Sequence, residues 1–156
     1  MADEAPKTTD HNPAGDMPAV IDRVLALAAT WTHWDGRPIV ADDREHTPHK
    51  AVRRTADHLL DHLAEVETRM AGVKPLADHW HASAVTTPAD LAPFTEADLD
   101  EARSRLTRLA QLWAVRIGSM SRDQLDYSPG AGWTFRQLAV HLDDTYHADA
   151  VGDLSG

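Results

Sequence analysis

The 156-residue sequence has no cysteine, no run of lysine or arginine, and no apolar stretch near the ~20 residues of a membrane-spanning helix. The lack of cysteine excludes disulfides, thiolate zinc sites, iron–sulfur clusters and cysteine nucleophiles. The formal net charge is −10, from 25 acidic and 15 basic residues, and such a surface repels nucleic-acid phosphates. The N-terminus also lacks the apolar core of a signal peptide. We therefore predict a cytoplasmic protein that binds neither nucleic acid nor membrane.

The length is that of one domain with its own hydrophobic core. Residues 1–15 carry no periodic apolar pattern, and we predict a disordered tail there. Residues 16–156 are predicted to form a single domain. Arginine outnumbers lysine by 12 to 3, a bias typical of GC-rich bacterial genomes.

Four segments have the apolar spacing of amphipathic helices, and none shows the strict alternation of a strand. The first helix is predicted from about Pro18 to Trp31. The second has Thr47 as its N-cap and Pro48 in its first turn, and it stops at Gly72. Both helices carry an apolar stripe that predicts burial on one side only.

The third and fourth helices begin at capping boxes, in which a Thr side chain and a residue three positions later cap each other. These pairs are Thr95 with Asp98 and Thr134 with Gln137. We predict an all-α fold, and a four-helix bundle is the simplest way to bury four apolar stripes.

Two predicted connections are long, residues 32–46 between helices 1 and 2 and residues 73–94 between helices 2 and 3. The second contains His79, Trp80 and His81, and it leaves the end of the second helix. It is either an ordered surface loop or a lid that limits access to a site on that helix.

Histidines supply the main functional signal. His58 and His62 stand four residues apart on the second helix, so their side chains share one face. His141 lies on the apolar side of the fourth helix. Three neutral imidazoles around a divalent ion leave a coordination position open, which is typical of catalytic rather than structural zinc.

Each histidine also has a simpler interpretation. His58 and His62 could form a solvated helix face or a hydrogen-bonded pair, and His141 could be a satisfied core histidine. His147 is six residues from His141, on another face, and is predicted not to share its metal. Four acidic residues are candidates to orient the imidazoles, although most are expected to face water: Asp57, Asp61, Asp143 and Asp144.

Two segments resemble the DinB/YfiT-like superfamily of four-helix metalloproteins. Residues 132–143, GWTFRQLAVHLD, resemble the Trp-led helix whose histidine is a metal ligand in that family. Residues 53–62, RRTADHLLDH, resemble the helix that supplies its His-x3-His pair. In most members the single-histidine helix comes second and the paired-histidine helix comes last, whereas here the two helix pairs are in exchanged order.

The resemblance implies that His58, His62 and His141 bind one divalent metal ion, zinc, nickel or iron. It implies a thiol-dependent transferase, isomerase or hydrolase acting on a small molecule, with a low-molecular-weight thiol such as mycothiol or bacillithiol as co-substrate. Substrate residues on loops are not carried over, because the order of the helices differs.

Two other functions are compatible with the sequence. One is a non-catalytic metal-binding or stress-related bundle. The other is a bundle without metal that acts through an apolar pocket or through a homodimer. An open metal position separates the enzyme from the first alternative, and metal content separates both from the second.

Overall fold

The computed structural model describes residues 4–79, 84–128, 130 and 132–156, and helices dominate them. The α-helices are α1 (Asp16–Ala28), α2 (Pro48–Met70), α3 (Glu96–Gly118), α4 (Arg122–Asp126), α5 (Phe135–His141) and α6 (Tyr146–Val151). Short 3-10 helices lie at Pro13–Gly15, Trp31–His33 and Pro88–Leu91. The strands are β1 (Ile39–Ala41) and β2 (Arg44–His46). The predicted predominance of helix is confirmed.

The small β-hairpin is a departure from the predicted all-α fold. Ile39 pairs with His46 in an antiparallel register, and the turn between the strands has positive φ at Asp42 and Asp43. Two consecutive residues with positive φ match the twist of a tight hairpin. Strands of three residues are too short to show an alternating apolar pattern, so sequence periodicity could not predict them.

The three helix starts predicted from threonine N-caps are confirmed. The first helix differs from the prediction of Pro18 to Trp31, because it begins at Asp16 and ends at Ala28. The Thr47 side chain accepts a hydrogen bond from the Lys50 amide. Capping boxes are present at Thr95 with Asp98 and at Thr134 with Gln137. Such caps satisfy backbone donors that lack intrahelical partners, and each stabilises its helix by about 1 kcal/mol. These starts fix which residues of α2 and α5 face the interior.

Four helices pack in a ring, α1, α3, α2 and α6, and the fourth of them, α6, is short. α1 packs on α3, α3 on α2, and α6 packs on both α2 and α1. The single fourth helix that the sequence predicted is instead two, because the helix breaks between His141 and Tyr146. At the break the Asp144 carboxylate accepts from the Tyr146 amide at 2.8 Å, which competes with the helical hydrogen bond. A regular four-helix bundle of the DinB/YfiT-like type therefore stays a prediction.

Two buried tryptophans tie the helices together by hydrogen bonds as well as by packing. Trp31 Nε1 donates to the Gly152 carbonyl at 2.8 Å, which joins the 3-10 helix that follows α1 to the end of α6. Trp113 Nε1 donates to the Leu59 carbonyl at 3.0 Å. This second bond fixes α2 against α3 beside His58.

α2 and α3 have 23 residues each, and both are rich in charged side chains. Within the described ranges, no helix combines the length and the apolar character needed to cross a bilayer.

The predicted boundary of the N-terminal tail is wrong by a few residues. Pro13–Gly15 form a 3-10 helix with Pro13 buried, and Ala14 packs against the hydrophobic core. Arg136 is only 3% exposed, and its Nη1 donates to the His11 carbonyl. The order of this segment was not predicted, because isolated Pro and Ala residues make no periodic pattern. Residues 4–10 form no helix or strand, and their dispensability stays a prediction.

Removal of the first 15 residues should lower the free energy of unfolding by ~1–3 kcal/mol. The core would lose the apolar contacts of Pro13 and Ala14, and Arg136 would exchange the His11 carbonyl for water. For a domain of this size the loss corresponds to a melting temperature several degrees lower. Thermal unfolding followed by circular dichroism tests this. A chain that begins at Asp10 is the control, and equal melting temperatures for the two truncated chains would contradict the prediction.

Candidate metal centre

The three predicted ligands converge. His58 and His62 lie one turn apart on α2, and His141 is the last residue of α5. Their ring centroids are 4.9 Å apart for His58 and His62, 4.9 Å for His58 and His141, and 5.2 Å for His62 and His141. One ligand atom from each lies within 4.8 Å of the others, and all three residues are partly buried. The sequence prediction that these residues meet is confirmed.

The donor atoms are spaced as a metal site requires. His58 Nε2 and His141 Nε2 face each other at 3.0 Å. Nitrogens bound to zinc at ~2.0–2.1 Å in a tetrahedron lie about 3.3–3.4 Å apart. Small rotations of the three rings therefore bring all donors to bonding distance, and the residues present fit a divalent ion.

His62 is oriented by a carboxylate that the sequence reasoning missed. Its Nδ1 lies 3.2 Å from Glu65 Oε2, which leaves Nε2 as the ligand atom. Hydrogen bonding to His62, the charge of that histidine and the nearby Arg69 together hold the Glu65 pKa below its usual value, despite partial burial. The signal was present in the spacing, because positions i and i+3 share a helix face.

An aromatic side chain orients His141. Trp133 lies edge-to-face against the His141 ring, with centroids 5.0 Å apart. The capping box at Thr134 sets where α5 begins, and so places Trp133 just before the helix and His141 at its end. The indole covers one side of the third imidazole and excludes water from it.

His58 is held neutral. Burial, followed by the proximity of His62 and His141, lowers its pKa from 6.5 to about 4. Neutral imidazole is the form that binds a metal ion. At neutral pH no proton has to leave His58 before a cation binds.

The other predicted residues have different positions. Asp144 lines a small cavity beside His58, whereas Asp61 borders a cleft beside His62. The Asp57 carboxylate raises the Arg54 pKa, against the larger lowering by burial. Among the described residues, the group that could hold a metal ion contains neither His147 nor an aspartate. His147 instead contacts the rings of His46 and Tyr146.

A cleft of about 760 Å³ opens beside His62. Residues of α2 form one wall, including His62 and Glu65, and residues 73–78 form the other. The first part of the long second connection thus borders the candidate site, and its role as a lid stays a prediction. Trp80 and His81 lie outside the described residues, so their part in that hypothesis stays a prediction.

The far end of the same connection is anchored to α2. Lys50 is 2% exposed, and its Nζ donates to Glu45 O at 2.8 Å and to Thr86 Oγ1 at 3.1 Å. Burial lowers the Lys50 pKa. Arg53 Nη2 donates to Asp90 at 2.7 Å. These contacts fix where the segment returns to the helices.

A groove of about 780 Å³ lies elsewhere, between α2 and α3. Its walls include Leu60, Arg105 and Leu112, and none of the histidines. It is as large as the cleft at His62, but none of its lining residues belongs to the histidine cluster. The cleft at His62 is therefore the better candidate for a substrate site.

Comparisons with family models, with curated proteins and with solved structures find no match for this chain. The resemblance to the DinB/YfiT-like superfamily accordingly stays a prediction.

Stability of the metal-free protein should fall as the pH is lowered from about 6.5 towards 4. In this window an unfolded His58, with a pKa near 6.5, takes up a proton that the folded residue, with a pKa of about 4, does not. The loss from His58 alone at pH 5, relative to pH 7.5, is about 2 kcal/mol. Urea unfolding with a chelator present measures it.

The His58→Gln variant is the control for this pH dependence, because glutamine stays polar and does not titrate. It should lose about 2 kcal/mol less between pH 7.5 and pH 5 than the wild-type protein. His147, whose pKa burial also lowers to about 4, contributes equally to both proteins. The same pH dependence in both would show that His58 is not held neutral by the fold.

Proposed function

We propose that this protein is a metal-dependent enzyme that binds one divalent ion through His58, His62 and His141 and acts on a small molecule. A low-molecular-weight thiol is the proposed co-substrate, by resemblance to the DinB/YfiT-like superfamily. The observation that carries the proposal is the convergence of three imidazoles within 4.8 Å at the edge of a large cleft.

Three features of the site support catalysis over a packing role. Three protein ligands leave a tetrahedral ion one further position. The cleft beside His62 gives a small molecule access to that position. The buried tryptophans and apolar stripes hold the helices together, so the fold does not need an ion as its core.

The chain supplies orientation and a partly dry environment, and a bound ion would supply a Lewis acid that lowers the pKa of a water or thiol. His58 and His141 present their Nε2 atoms to each other. Glu65 holds the tautomer of His62 that leaves Nε2 free. Trp133 shields His141. Each residue therefore reduces the reorganisation that binding would require.

The test of this proposal is metal uptake followed by access to the ion. Protein purified without a histidine tag should take up one equivalent of zinc, nickel or iron. In cobalt-loaded protein, a low-molecular-weight thiol should produce a thiolate-to-cobalt charge-transfer band. Uptake without that band would favour the non-catalytic metal-binding bundle. No uptake of any divalent ion would end the proposal.

The His141→Ala variant should lose affinity for the metal by at least about 100-fold, because one of three ligands is removed. The metal-free variant should unfold within about 1–2 kcal/mol of the wild-type protein, since His141 is only partly buried and the apolar core remains. Competition with a zinc chelator measures the affinity. The matched control is His33→Ala, which changes an exposed histidine and should leave the affinity unchanged.

The Glu65→Gln variant should weaken metal binding by ~10–100-fold, the usual effect of removing a carboxylate that orients a ligating histidine. Glutamine keeps the shape of the side chain but removes the charge that stabilises the Nδ1–H of His62. Glu67→Gln is the matched control, because Glu67 lies on the same helix and pairs with Arg116. Equal affinities for the two variants would argue against a role of Glu65 at the site.

A further inference from the structure

A small cavity of about 10 Å³ lies against His58 and shares no lining residue with the large cleft. Its polar lining comes from Arg54, Thr55, His58, Asp144 and His147. Its apolar lining comes from Met17, Val20, Ile21, Leu59 and Leu142. A water molecule needs roughly 10–15 Å³ of such space and two to four polar partners. The cavity meets both conditions for one molecule.

His58 has one ring nitrogen directed away from the other two ligands. Its Nε2 faces His141 Nε2 at 3.0 Å, so Nδ1 remains for a partner on the outer side. Among the described residues, the hydrogen bond of His58 is made by Nε2 and none is made by Nδ1. His62 differs, because its Nδ1 already has Glu65 as partner at 3.2 Å.

Arg54 brings a buried donor without a partner to the same place. Its Nε is buried and has no hydrogen-bond partner, and its side chain lines the cavity. Burial also lowers the Arg54 pKa. A buried N–H without a partner costs about 1–3 kcal/mol. A water molecule in the cavity would remove this cost.

We propose that the cavity binds one ordered water molecule, which accepts from His58 Nδ1 and Arg54 Nε and donates to Asp144. Asp144 then acts as a positioning residue for His58 through the water, as Glu65 does for His62 directly. The positioning role rests on the proposed metal function, whereas the water site itself does not. Ligating histidines commonly bond through their second nitrogen to water or a carboxylate.

The first test is a high-resolution crystal structure of the metal-free protein and of the zinc-loaded protein. We expect electron density for one water within about 3.2 Å of both His58 Nδ1 and Arg54 Nε. A cavity without density, or a His58 Nδ1 bonded to a protein group, would overturn the proposal. This result does not depend on metal uptake, so it separates failure of the water site from failure of the metal function.

The second test fills the cavity. Val20→Ile adds one methylene beside it, and Val24→Ile is the matched control, because Val24 is fully buried on the same helix and is not part of the cavity lining. Cobalt affinity should fall ~10-fold or more in Val20→Ile and stay within about 2-fold in Val24→Ile.

The visible spectrum of bound cobalt should also change in Val20→Ile alone, since a rotated His58 alters the ligand geometry. A general packing defect would lower the melting temperature of both variants and leave this spectrum unchanged. Equal affinities and equal spectra for the two variants would overturn the positioning role of the water.

Discussion

The hydrogen bond from Trp113 to the Leu59 carbonyl fixes the position of α2, on which the candidate site depends. α2 carries two of the three imidazoles, the carboxylate that orients one of them, and one wall of the cleft. A buried indole N–H needs an acceptor, because leaving it unpaired is costly. The position of α2 along α3 is therefore fixed next to His58. A displacement of α2 by one residue along its axis would rotate His58 and His62 away from His141.

The sequence predicted those parts of the molecule that depend on local chemistry. The helix starts at Thr47, Thr95 and Thr134 follow from capping, which involves residues three positions apart. The histidine cluster was predictable from a pair at i, i+4 and one inward histidine, together with the resemblance. The parts that were missed depend on contacts distant in the sequence. The His11 carbonyl meets Arg136 across 125 residues, and no periodic pattern records such a contact.

The break between α5 and α6 is a second feature that apolar periodicity did not predict. The apolar spacing continues through residues 138–145 and predicts one helix, yet Asp144 caps the Tyr146 amide and ends the first helix at His141. The break has a consequence for the site. It lets α6 pack on both α1 and α2, while α5 is left free to direct His141 towards α2.

A helix of seven residues is too short to be stable alone, because the cost of forming its first turn is not recovered over so few hydrogen bonds. α5 must therefore be held at both ends. The capping box at Thr134 fixes its start, and contacts of His141 with His58 and Trp133 fix its end. The last carbonyls of a helix also carry partial negative charge, which favours a cation nearby. The position of His141 at the C-terminal end of α5 is therefore compatible with the proposed metal ion.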